Sequence, residues 1–183
     1  MKRLLMVLLL SSFYLVLAHE PHQANEYANL QTLVYPAVVK FHPPIVHFGI
    51  SLPFATLLAE VYYTIKKKGT EYLVLLFSFL TLLVLSLSVV TGYTAHQSIE
   101  EMIPKRGAME LIHLHQNIGF VLLFLSSLGF LFKVLYHVRY SNVFRYVFIG
   151  IYLLLCAGVV YQGSLGGKLV YEYSVGVPVE VAK

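Results

Sequence analysis

Histidine carries most of the chemistry this sequence offers. The chain has 183 residues and eight histidines. His42 and His47 stand where one long apolar run begins, His96 where a second ends, and His113 and His115 where a third begins. Neutral imidazole is a usual nitrogen ligand for haem iron and also suits Zn and Cu. Small residues flank three of the rings. Ser51 follows His47 by four positions, Gly92 precedes His96 by four, and Gly119 follows His115 by four. Residues four apart share a helix face, so these positions leave room for a flat macrocycle or a second helix. A haem between helices needs ligands from two facing strips at similar depth, and His47 with His115 meets that requirement best, with His96 as a third candidate. His113 and His115 cannot both address one centre, because two residues of helix turn through roughly 200°. One of them has another part, in hydrogen bonding or at a second site. Gln116 and Asn117 are placed to orient a ligand imidazole. No H-E-x-x-H motif is present, and each histidine taken singly can also be read as bonding to loops and water near an interface.

The elements that position these residues are membrane spans. Hydrophobic residues make up 58% of the chain and charged residues 12%, against about 45–50% and about 25% in soluble domains. The excess lies in long uncharged runs. Four are predicted, at about 44–65, 72–93, 116–136 and 144–162, each about 20 residues, enough to cross ~30 Å of hydrocarbon. Pro43 and Pro44 suit the start of the first helix, and the third helix begins earlier than its span, near Gly107 or Ala108. The expected fold is an all-α membrane protein, a four-transmembrane-helix bundle (44–163) preceded by a cleavable signal peptide. Residues 1–18 have the signal's parts: Lys2 and Arg3, an apolar core from Leu4, and Val16-Leu17-Ala18 before a cut. Residues 19–43 read as an external lead-in and 164–183 as an external tail folded back over the bundle mouth.

Charge orients the bundle. Lys66, Lys67 and Lys68 lie between the first two spans, and Lys133, Arg139 and Arg145 around the connection of the last two. The positive-inside rule makes that side cytoplasmic. His42, His47, His96, His113 and His115 then gather at the external end, with the mature termini outside a bacterial-type inner membrane. His137 reads as a solvated residue of the basic loop. Glu60, ~20 Å along the helix from His47, reads as paired or snorkelling near the inner interface, and Cys156 as packing. A single cysteine excludes an internal disulfide, a c-type haem attachment motif and Cys-based metal motifs, so any redox cofactor is held non-covalently. No basic-aromatic pattern points to nucleic acid.

The stretch His42-Pro43-Pro44-Ile45-Val46-His47-Phe48-Gly49 resembles the opening motif of a prokaryotic four-helix integral membrane family, domain of unknown function 2231. Thr91-Gly92-Tyr93-Thr94-Ala95, the His115-to-Gly119 spacing, Gly166-Gly167-Lys168-Leu169-Val170-Tyr171 and Val175-Gly176-Val177 are similar to later motifs of that family. The resemblance spans about 42–177. It implies a four-helix membrane domain with a b-type haem role, and it matches His42, His47 and His115 to motif positions, leaving His96 and His113 without a role carried over.

The resulting expectation is a membrane b-type cytochrome or cytochrome-like subunit. It would bind haem b between histidines at the periplasmic end, with His47 and His115 as the axial pair. Its partners beyond the lipid bilayer would be a periplasmic c-type cytochrome or a membrane oxidoreductase, and a homo-oligomer is compatible with the sequence. Two alternatives stand beside it. One is a histidine-based protein handling Cu or Zn, where four methionines and one cysteine argue against Cu(I), which prefers soft sulfur. The other is a non-catalytic assembly or scaffold subunit. No substrate-chemistry motif marks a stand-alone enzyme.

Overall fold

A computed structural model describes residues 37–68, 72–99 and 106–175. The signal segment, the lead-in as far as residue 36 and the tail from residue 176 lie outside the described residues. Four helices make up nearly all of the rest: α1 (Ala37–Ile65), α2 (Tyr72–Ile99), α3 (Arg106–Arg139) and α4 (Asn142–Tyr171). They are 28 to 34 residues long, or about 40–50 Å at the α-helical rise. Each is long and apolar enough to cross a membrane and overshoots the ~30 Å hydrocarbon layer.

Short connections make chain neighbours antiparallel. α1 packs on α2 and α4, and α3 packs on the same two, so the helices form a ring with α1 and α3 on one diagonal. The starts of α1 and α3 and the ends of α2 and α4 meet at one mouth, called here the histidine end. The opposite mouth is the basic end.

Lipid explains why these sequences are helices. Hydrocarbon offers no partner for backbone N–H and C=O groups, so each segment must satisfy its own. Serine and threonine follow the same rule. Thr56, Thr81, Ser86, Ser88 and Thr91 each donate to a carbonyl four residues back, at 2.7–2.9 Å. The outward surface is apolar on every helix, including Phe54 and Leu58, Leu83 and Leu87, Val121 and Phe124, and Leu153 and Leu154. A water-exposed bundle would carry charge there.

Two boundaries differ from expectation. α1 starts at Ala37 and runs through Pro43 and Pro44 rather than starting at Pro44. Proline already holds a helical φ, and transmembrane helices tolerate the lost N–H donors. α4 continues through Gly163, Gly166 and Gly167 to Tyr171, where a folded-back tail was expected from residue 164. Glycine costs a helix about 1 kcal/mol per residue, but here the extension packs on α3, Leu169 against Ile112 with Met109 and Leu111 beside them. It ends at Ser174, left-handed at φ 56, with the Val175 N–H bonded to the Leu169 carbonyl at 2.9 Å.

The core runs down the axis through Val74, Leu82, Leu85, Leu122, Leu123, Phe148, Tyr152, Leu155 and Val159. Close approach depends on glycine. A Cβ on Gly129 would stand 2.8 Å from Cε2 of Tyr152, whose side chain is fully buried, whereas one on Gly150 would meet nothing within 4 Å. Gly129→Ala should therefore lower the melting temperature in detergent, at an overpacking cost of about 1–3 kcal/mol. Gly150→Ala should leave it unchanged or raise it. Equal effects from the two would show that the Tyr152–Gly129 contact does not limit packing.

Candidate functional site

The histidine end is built from the inside of the ring. His42 lies near the start of α1 and reaches α2, with Nδ1 3.0 Å from Thr91 Oγ1. Its ring covers Gly92, where a Cβ would sit 2.9 Å from Cε1. Thr91 donates its own proton to the Leu87 carbonyl at 2.8 Å. With that proton on the carbonyl, the Thr91 oxygen can accept from His42 Nδ1. In that tautomer of neutral His42, Nε2 carries no proton, as a ligand nitrogen requires.

His115 lies on α3, diagonally across the ring. Its Cε1 is 3.4 Å from where a Cβ on Gly166 of α4 would stand. Gln162 of α4 donates from Nε2 to the His115 backbone carbonyl at 2.8 Å. His115 Nδ1 and Gln162 Oε1 are buried and have no hydrogen-bond partner among the described residues. His42 and His115 come from helices that are not neighbours, yet they are near enough for charge on one to act on the other. Each has a glycine of an adjoining helix beside its ring.

The remaining histidines have other places. His96 is buried and donates from Nδ1 to Gln116 Oε1, an oxygen that only accepts. Its ring centroid is 5.1 Å from that of His113, so these two pair between α2 and α3. His113 and His115 take different neighbours, and Gln116 bonds to His96. His47 is exposed and bonds within its own helix, Nδ1 to the Pro43 carbonyl at 2.6 Å. His47 had been expected opposite His115; its ring is exposed and bonds within α1, whereas that of His42 contacts α2. Five residues of helix separate the two by about 140°, so only one can face the axis, and the contact with Thr91 and Gly92 belongs to His42. Among the described residues, no three histidine, cysteine or glutamate side chains converge to hold a metal ion.

Two imidazoles, of His42 and His115, stand at this mouth on diagonal helices. One buried ring nitrogen awaits a partner, and glycines stand where a side chain would otherwise press on each ring.

The basic end holds a cluster that inspection of the sequence treated only in part. Glu60 is fully buried, as expected for a paired group. Lys133 Nζ donates to its Oε2, and Arg145 Nε donates to its Oε1 at 2.9 Å. Arg145 Nη2 also donates to the Lys68 carbonyl at 2.9 Å. The Tyr136 ring lies 5.0 Å from Lys133 Nζ and 4.5 Å from the Arg145 guanidinium carbon, near enough for cation–π attraction. Lys133 and Arg145 were counted with the loop charges that orient the chain. Both are buried inside the bundle, which leaves Lys66, Lys67, Lys68 and Arg139 as the exposed cations of that end. His137 is likewise helical and half-buried against Tyr72, with centroids 4.9 Å apart, and not a loop residue. A signal for the cluster was present. Glu60 is the only acidic residue within the apolar runs, five residues from its helix end, and Lys133 is six from the matching end of α3.

Removing one member of a buried ion cluster costs about 3–5 kcal/mol, since the remaining charges lose their counterpart. Glu60→Gln should therefore sharply lower the melting temperature in detergent. Lys133→Met should cost less, because the Glu60–Arg145 pair persists. If Glu60→Gln were neutral, the cluster would not stabilise the bundle.

A family model described as Predicted membrane protein (DUF2231) matches residues 39–178. No curated protein and no solved structure matches the chain.

Proposed function

The chain belongs to the DUF2231 family of membrane proteins, and on that premise we propose that it is a b-type cytochrome-like subunit carrying electrons at the histidine end of its bundle. The carrying observation is that His42 and His115 stand at the same mouth on diagonal helices, each ring beside a glycine of an adjoining helix. The bond from His42 Nδ1 to Thr91 frees the other nitrogen of that ring. The orphaned Nδ1 of His115 supports the same reading, as do Gly92 and Gly166 beside the two rings. His42 and His115 would hold haem b, with Thr91 setting the ring of His42 and Gln162 holding the backbone at His115. Haem iron supplies one-electron transfer when bound. His96, bonded to Gln116, and His113 form a separate ring pair, and His47 is not a ligand in this reading.

The exposed cations Lys66, Lys67, Lys68 and Arg139 support a cytoplasmic basic end, and in this reading the histidine end faces the periplasm from an inner membrane. An electron partner there would be a soluble c-type cytochrome or a membrane oxidoreductase, reached across the mouth of the bundle.

The test is a reduced-minus-oxidised spectrum of the protein purified in mild detergent after expression with added haem precursor. Sharp Soret and alpha bands are expected, lost in His42→Ala and in His115→Ala and kept in His47→Ala. Loss in His47→Ala with retention in His42→Ala would restore the His47–His115 pair. A colourless wild type with stoichiometric Cu or Zn would replace this reading by metal handling. A wild type with neither would leave a structural subunit.

A further inference from the structure

A groove interrupts the outward apolar surface at the basic end. It lies between α2 and α3, has a volume of about 640 Å³ and is lined by Tyr72, Leu73, Leu75, Leu76 and Phe79 of α2 with Phe130 of α3. Two ring contacts mark its ends. Tyr72 meets His137 edge-on with centroids 4.9 Å apart, and Phe79 meets Phe130 at 5.9 Å. The two contacts are seven residues apart on each helix, two turns or about 10 Å. That length fits within one leaflet, half of a ~30 Å hydrocarbon layer. No lining side chain carries a charge.

Positive charge gathers just beyond the Tyr72–His137 end. Lys66, Lys67 and Lys68 are exposed and precede Tyr72 by four to six residues, and Arg139 is exposed and follows His137 by two. The lysines are tied to the bundle. The N–H groups of Lys67 and Lys68 donate to the carbonyls of Thr64 and Tyr63 at 3.1 and 3.0 Å, which closes α1. The buried Arg145 donates to the Lys68 carbonyl at 2.9 Å. This closure puts Lys67 in left-handed backbone, φ 50, and the end of α3 does the same to Tyr140, φ 52. Glycine is usual at such positions, and a side chain there is strained. Strain of this kind persists where the side chain has a use. Here it sets a cation and an exposed tyrosine at the level of the lipid headgroups.

An apolar groove at hydrocarbon depth, with fixed cations beyond its outer end, complements an amphiphile with a negative head. A second copy of this chain is a poorer occupant. Two copies oriented alike in one membrane would bring the same cations together at one level, and like charges repel. We propose that the groove between α2 and α3 binds one acyl chain of an anionic phospholipid, with the phosphate held by the lysine turn and Arg139. The site is separate from any haem at His42 and His115, which lie toward the opposite mouth.

The chain has no tryptophan, so one can be introduced as a single reporter. Phe79→Trp places it at the inner end of the groove, and Leu154→Trp on an outward position of α4. Each full-length variant in mild detergent is titrated with chain-brominated phosphatidylglycerol or phosphatidylcholine, which quenches tryptophan on contact. Phosphatidylglycerol should half-quench Phe79→Trp at a mole fraction at least about fivefold lower than Leu154→Trp, the factor expected for a single cation at an anionic headgroup. Phosphatidylcholine should show no such gap, and changing Lys66, Lys67 and Lys68 together to Gln should close it. Equal quenching of the two reporters by phosphatidylglycerol would reduce the groove to ordinary lipid contact and overturn the proposal. The same gap with phosphatidylcholine, or a gap that survives the lysine change, would overturn it as an anionic-lipid site. Leu76→Trp repeats the measurement if Phe79→Trp lowers the melting temperature.

Discussion

In hydrocarbon no polar group can fall back on water, and every feature of this bundle follows from that constraint. It makes the four apolar runs helical, because only a helix satisfies its own backbone. It turns the serines and threonines of the spans back onto carbonyls one turn earlier. It also divides the interior by height. Charge is admitted at the basic end, where Glu60, Lys133 and Arg145 share hydrogen bonds. Hydroxyls follow, then a layer of leucine and valine, then imidazole and amide at the histidine end.

Burial of Glu60 costs several kcal/mol unless partners are fixed in place. Here three helices supply the cluster, α1, α3 and α4. The same contacts bind together the helices whose far ends carry His42, His115 and Gln162. Orientation of the histidine end thus depends on packing that begins at the opposite mouth, and glycines at positions 129 and 158 allow the close helix approach between them.

The histidine end shows how much one hydrogen bond decides. His42 and His47 are equivalent in residue type and only five positions apart. Thr91 and Gly92 receive the first ring, while the second bonds to its own helix. A threonine whose proton goes to a carbonyl offers its oxygen to an imidazole N–H.

Much was legible in the residues alone. Apolar run length set the number of spans, and the order of polar positions placed five histidines at one mouth, because an antiparallel ring alternates the ends of its helices. Glu60 was legible as paired or snorkelling, since an isolated carboxylate does not persist in lipid, and the fold decided for buried pairing. Tertiary structure decided what depends on rotation about the helix axis and on depth matching between helices distant in sequence. It set His42 against α2 while His47 stayed exposed, joined His96 to Gln116 and His113, and buried Lys133 and Arg145, read from the sequence as span-end charges, in the core. It also extended α1 through its prolines and α4 through its glycines. The physical reason is common to all of these. Hydrophobicity along the chain is local and nearly uniform around each helix, so it carries no rotational phase, and only contact with the neighbouring helices supplies one.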